Sequence, residues 1–212
     1  MIGLLQQGNY EVFVLLIIAL VLSLSFHEFG HAIVAKWQGD DTAERAGRLT
    51  INPLAHIDPL GLLMVVLIGI GYAKPVPTNP RNFKSPTSDL WIAAAGPFMN
   101  LVLATVTWNI FLLLWVSGWE NQGGLTFFTM LAQINLLLML FNLIPLGPLD
   151  GHYILPHFLP KRAADQYRVF NARFGTMVFI GLIMLNFAGV PLFAKLWPMA
   201  NAMLDFITLV PV

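Results

Sequence analysis

Long apolar stretches alternate with short polar loops along the chain. Residues 12–35 open with an almost unbroken run, VFVLLIIALVLSLSF, and continue through HEFGHAIVA. Residues 91–116 and 125–146 repeat the pattern, 174–190 is a shorter version, and 192–212 is a weaker one broken by Lys195, Pro198 and Asp205. A helix needs about 20 residues to cross the hydrocarbon of a bilayer. Barrel strands alternate in hydropathy over ~10 residues, and these runs do not. The pattern predicts an all-α integral membrane protein with five to six transmembrane helices. The count turns on 60–72, LGLLMVVLIGIGY, which at 13 residues suits a re-entrant segment better than a span.

Basic residues sharpen the topology. Lys36, Arg45 and Arg48 follow the first run, Lys74, Arg81 and Lys84 follow the short one, and Lys161, Arg162, Arg168 and Arg173 follow the third long one. If 60–72 re-enters, all three clusters lie on one face, which the positive-inside rule makes cytoplasmic. The N-terminus is then outside. The first run has no basic residue before it and no small-residue cleavage site, and is expected to be retained. No internal repeat divides the chain, so 1–212 is expected to form one domain, with a core over about 12–155 and additional C-terminal helices over 174–212.

Composition agrees. Hydrophobic residues make up 57% and charged residues 10% of the 212 positions, against ~25% charged in soluble domains. Mean hydropathy is +0.72. Eleven basic and eleven acidic residues cancel, which gives no sign of a nucleic-acid partner. With no cysteine in the chain, any metal must be held by His, Asp or Glu.

Such ligands stand inside the first apolar run. His27 and His31 are spaced i, i+4, about 40° apart in azimuth and ~6 Å apart in rise on an α-helix. Both imidazoles then face one ion, while Glu28 is placed to act on a water held there. This is the H-E-x-x-H pattern of zinc peptidases. Charged groups at mid-bilayer cost at least ~2.5 kcal/mol on insertion scales, so a functional role outweighs the alternative of a polar cluster that joins helices. A catalytic zinc takes three protein ligands. The best third candidate is Asp150 in FNLIPLGPLDGHY, 141–153, where Pro145, Gly147, Pro148 and Gly151 break the third long run. His31 lies five residues before Lys36, ~7.5 Å along the helix, so the depths match.

HEFGH in an early span together with NLIPLGPLDG in a later one resembles the site-2 proteases, which are intramembrane zinc metalloproteases. NPLAHIDPLG at 52–61, GYAKPVPTNPRNF at 71–83 and AAGPFMN at 94–100 are similar to the compact branch of that family, which lacks a PDZ domain. The resemblance covers about 20–155. It implies one Zn2+ per chain on His27, His31 and Asp150, with Glu28 as the catalytic acid/base. It also implies that Asn142 holds the substrate carbonyl or its oxyanion; read as a residue alone, Asn142 is either such a donor or an interhelical hydrogen-bonding group. The implied function is hydrolysis of peptide bonds within or near transmembrane segments of membrane proteins. The expected location is the cell (plasma or inner) membrane, with the active site toward the cytoplasmic side and a transmembrane protein as substrate. Alternatives are an intramembrane metal-binding transporter and a catalytically inactive relative that binds membrane helices. His152 departs from the family pattern after Asp-Gly. His56 and Asp58 are expected to satisfy turn backbone, Asn100 to serve close helix packing, and His157 to lie at the surface.

Overall fold

The computed structural model describes residues 2–68 and 71–211. Among these the chain is helical throughout its regular structure. Helix α1, Tyr10–Trp37, carries the HEFGH motif. Helix α2, Pro59–Ile68, is short. Helices α3, Ser88–Val116, and α4, Gln122–Asn142, are long. Helix α5 runs Lys161–Phe187 through one π-helical turn at Asn171–Gly175, and α6 is Leu196–Ile207. Among the described residues four helices, α1, α3, α4 and α5, are long and apolar enough to cross a membrane. The all-α membrane architecture thus stands, with four long spans where five to six were expected. The difference lies at the tail and at 60–72.

The tail does not stand alone. Ala200, Leu204 and Ile207 of α6 are buried with Ala104 of α3 and with Ala132, Leu136 and Met139 of α4. Trp108 donates to Thr208 Oγ1 at 2.8 Å, and Asn109 donates to the Ile207 carbonyl at 2.7 Å. The expected re-entrant segment includes 69–70, which fall outside the described residues. On either side of them the chain doubles back. A Cβ built on Gly61 would lie 2.0 Å from the Tyr72 carbonyl oxygen, and the Lys74 N–H donates to the His56 carbonyl at 2.8 Å. The segment therefore starts and ends on one side of the bundle.

Helices α1, α3 and α4 form the centre. Gly30 of α1 lets α1 and α3 approach closely, since a Cβ there would meet the Ala95 carbonyl oxygen at 2.7 Å. Outward positions such as Val14, Ile18, Leu113, Val116, Ile180 and Met184 are exposed and apolar. A bilayer, not water, is the solvent that fits them. Helix α1 stops at Gly39, whose φ of +98° lets the Asp40 N–H close onto the Ala35 carbonyl at 2.9 Å.

Asp40 is fully buried and ties the loop 74–79 to that helix end. It accepts from the Asn79 N–H at 2.6 Å and from Asn82 Nδ2 at 2.9 Å. Burial pushes its carboxyl up, but hydrogen bonds from Thr42, Asn79 and Asn82 outweigh this and hold it below the ordinary value.

Candidate active site

His27 and His31 point from α1 toward α3, and Asp150 reaches them from the loop after α4. His27 Nε2 and His31 Nε2 are 3.0 Å apart. Asp150 places Oδ2 3.2 Å from His27 Nε2 and Oδ1 3.3 Å from His31 Nε2. His27 and His31 are buried, and Asp150 is nearly so.

The tautomers follow from the outer contacts. His31 Nδ1 lies 2.7 Å from the Ile92 carbonyl oxygen, which only accepts. His27 Nδ1 lies 2.6 Å from Asn100 Oδ1, while the Asn100 amide nitrogen donates to the Ser23 carbonyl and to Asn135 Oδ1. Both Nδ1 atoms therefore carry protons. With both rings neutral, as metal ligation requires, the two Nε2 lone pairs and a carboxylate converge on one point. Among themselves these acceptors repel, and Asp150 Oδ2 has no hydrogen-bond partner. A cation resolves the conflict. Ligands at ~2.1 Å from a tetrahedral zinc stand about 3.4 Å apart, close to the three separations above. The donor set thus fits zinc, and His27, His31 and Asp150 form a group able to hold a metal ion.

Gly96 makes room for this group. A Cβ there would lie 2.3 Å from His31 Nε2 and 2.6 Å from His27 Cε1. Pro97, lacking an N–H, breaks the α3 ladder at the same level. Gly151 does the same for Asp150, because a Cβ there would meet the Leu143 carbonyl oxygen at 2.4 Å. The chain can therefore fold the Asp150 turn tightly onto the end of α4. Gly147, with φ +64°, is held in turn by Asn171. Asn171 Oδ1 accepts from the Gly147 N–H at 3.0 Å, and its Nδ2 donates to the Gly147 carbonyl at 3.2 Å.

Glu28 is buried beside His27, and its Oε2 accepts the Val76 N–H at 3.0 Å. Asn142 ends α4 and donates to the Leu138 carbonyl at 3.0 Å. No hydrogen bond joins it to the metal-ligand group among the described residues. His152 Nδ1 donates to the Leu149 carbonyl at 2.7 Å and lies outside the group. Asp58 caps the start of α2 by accepting from the Leu60 and Gly61 N–H groups. His157 is not fully at the surface, since its Nε2 pairs with Asp89 at 3.0 Å.

The residue under-read from sequence is Asn100. Close packing is only part of its role: it orients His27. Asn135, fully buried and paired to it, extends the network to α4. A fixed His-amide spacing was absent because the partners come from three helices. Replacing Asn100 by Leu strands the His27 Nδ1 proton. Membrane hydrogen bonds average about 0.6 kcal/mol each and Asn100 makes three, so stability should fall by about 2 kcal/mol. Loss of an outer-shell partner lowers metal affinity about 10–100-fold, and chelator competition should read that effect.

Comparison with known proteins agrees with this geometry. The profile of peptidase family M50 matches residues 15–121 and 118–186. YwhC of Bacillus subtilis (strain 168) is 38% identical over 198 residues, covering 91% of this chain and 88% of that protein. Rip2 of Mycolicibacterium smegmatis is 35% identical over 160 residues, covering 71% of this chain and 60% of its own length. A protein of Methanocaldococcus jannaschii is 29% identical over 163 residues, 76% of this chain and 39% of that one. All three are named as zinc metalloproteases, the first two provisionally. No solved structure matches. On the family profile and the extent of its relatives, this chain belongs to peptidase family M50, the site-2 protease family that its two motifs resemble.

Proposed function

We propose that this protein is a zinc-dependent intramembrane protease that cleaves peptide bonds within or near the transmembrane segments of other membrane proteins. His27, His31 and Asp150 would hold one zinc ion, Glu28 would act as base and then acid, and Asn142 would receive the substrate carbonyl. The observation that carries this reading is the convergence of His27 Nε2, His31 Nε2 and the Asp150 carboxylate beside Glu28.

Zinc, when bound, supplies Lewis-acid polarisation of a carbonyl and acidifies a coordinated water. The chain does the rest. Glu28 keeps Oε2 on the Val76 N–H and has Oε1 left to take a proton from the attacking water. It returns that proton to the leaving amine nitrogen. Asn142 uses one amide N–H on Leu138 and keeps the other for an oxyanion. A transmembrane substrate must unwind first, because its carbonyls are engaged within its own helix. The basic clusters support a site toward the cytoplasmic face of the cell membrane.

Metal analysis of the purified protein tests the site. Wild type is expected to carry close to one zinc per chain and Asp150→Ala far less. Chelation should stop cleavage of a designed transmembrane helix, and added zinc should restore it. A wild type that purifies and reloads without zinc would sink the reading.

A further inference from the structure

Arg48 lies in the loop after α1, is 5% exposed, and has no carboxylate partner among the described residues. It grips backbone instead. Its Nη1 donates to the Pro75 carbonyl at 3.1 Å, and its Nη2 donates to the Lys74 carbonyl. His56 supports it from behind. His56 Nε2 lies 2.7 Å from the Thr50 carbonyl oxygen, so its Nδ1 is free to accept from Arg48 Nη2 at 3.3 Å.

The Pro75 carbonyl that Arg48 holds belongs to the same peptide group as the Val76 N–H that Glu28 holds. One peptide is thus clamped between a guanidinium and a carboxylate. Its dipole is aligned with both charges, with oxygen toward the cation and N–H toward the anion. Hydrogen bonds in such a series polarise and strengthen one another in a low-dielectric site. Burial pulls the guanidinium below its ordinary value, and the Glu28 carboxylate pushes the other way, so the two charges sense each other across the peptide.

The local sequence isolates this contact. Pro75 and Pro77 have no N–H, so Val76 carries the single donor between them. Val76 precedes Pro77 and is confined to extended backbone. The segment is tied at both ends, at Lys74 to the His56 carbonyl and at Asn79 to Asp40.

We propose that Arg48 is a positioning residue for Glu28, aiming the Val76 N–H at Oε2 so that the carboxylate is held in the orientation from which it acts as base. This rests on Glu28 being the catalytic base. Nothing in the zinc-binding group itself requires Arg48.

The test compares wild type, Arg48→Ala, Val76→Pro and Glu28→Gln in lipid vesicles. Val76→Pro deletes the N–H and keeps an extended backbone. The probe is a Lys-flanked Leu/Ala transmembrane helix with a central Gly-Ser break and a fluorophore–quencher pair. Zinc content and exchange of the Val76 amide are read alongside. Arg48→Ala and Val76→Pro are each expected to lower kcat about 10–100-fold, with KM and zinc content near wild type. Their effects should not add in the double variant. The Val76 amide should exchange at least about tenfold faster in Arg48→Ala, following the loss of the clamp. Wild-type kcat in Val76→Pro with zinc bound overturns the proposal, as does a loss confined to KM or unchanged Val76 exchange in Arg48→Ala. If Arg48→Ala fails to fold, Val76→Pro decides alone. A Glu28→Gln protein that still cleaves would bring down the assignment of the base and this inference with it. An inactive Glu28→Gln beside a fully active Val76→Pro sinks only the role of Arg48.

Discussion

Glu28→Gln should abolish cleavage while leaving the protein folded and zinc-loaded. The carboxamide has the shape of the carboxylate and still offers an oxygen to the Val76 N–H, so the contact at 3.0 Å survives. It cannot take a proton. General acid–base assistance is worth about 10²–10⁴-fold in rate, and in the proposed mechanism the same group serves both the attack and the departure of the amine. The proposed metal ligands His27, His31 and Asp150 are untouched, so zinc per chain should match wild type. That split between chemistry and metal content separates a base from a ligand. A variant that cleaved at the wild-type rate would remove Glu28 from the mechanism. A variant that lost its zinc would make Glu28 part of the metal site instead.

The candidate site was legible in the sequence because most of it is local. His27, Glu28 and His31 sit within five residues of one helix, and helical periodicity alone puts both imidazoles on one side. Asp150 was legible because Pro and Gly around it must break a helix at membrane depth, where broken backbone is tolerated only around a cavity. What sequence could not give was the wiring between elements. Asn100 meets His27 across 73 positions and Asn135 meets Ser23 across 112. Small polar residues in an apolar helix look alike whether they join two helices or aim a ligand. The tail's packing was hidden for a similar reason. Residues 192–212 read as a weaker, broken span, and nothing local shows that Ala200, Leu204 and Ile207 of the helix at 196–207 are buried against α3 and α4. Arg48 was counted only as one positive charge of a loop, and its grip on the Pro75 carbonyl depends on a chain reversal that no local pattern encodes.

Gly96→Ala is the substitution for which two principles make opposite forecasts. Helix propensity favours it: alanine in a helix interior is better than glycine by about 1 kcal/mol. The packing opposes it. The new Cβ would stand 2.3 Å from His31 Nε2, 2.5 Å from His31 Cε1 and 2.6 Å from His27 Cε1. Neither ring has an easy retreat, because His31 is held by the Ile92 carbonyl and His27 by Asn100. The overlap also falls on the Nε2 atom that would face the proposed metal. Overpacking of this kind costs about 1–3 kcal/mol, which exceeds the propensity gain, and its geometric effect is larger still. Turning His31 away removes a ligand outright. Zinc affinity should therefore fall by more than the 10–100-fold expected for loss of an outer-shell partner, and cleavage with it. Gly181→Ala, on α5, is the matched control. A Cβ there meets nothing within 4 Å, so the propensity gain should appear alone, with zinc and activity unchanged. Zinc content and thermal unfolding of the two variants, measured side by side, check both halves. If Gly96→Ala kept its zinc and gained stability like Gly181→Ala, the close fit of α3 against the imidazoles would not be what shapes the site.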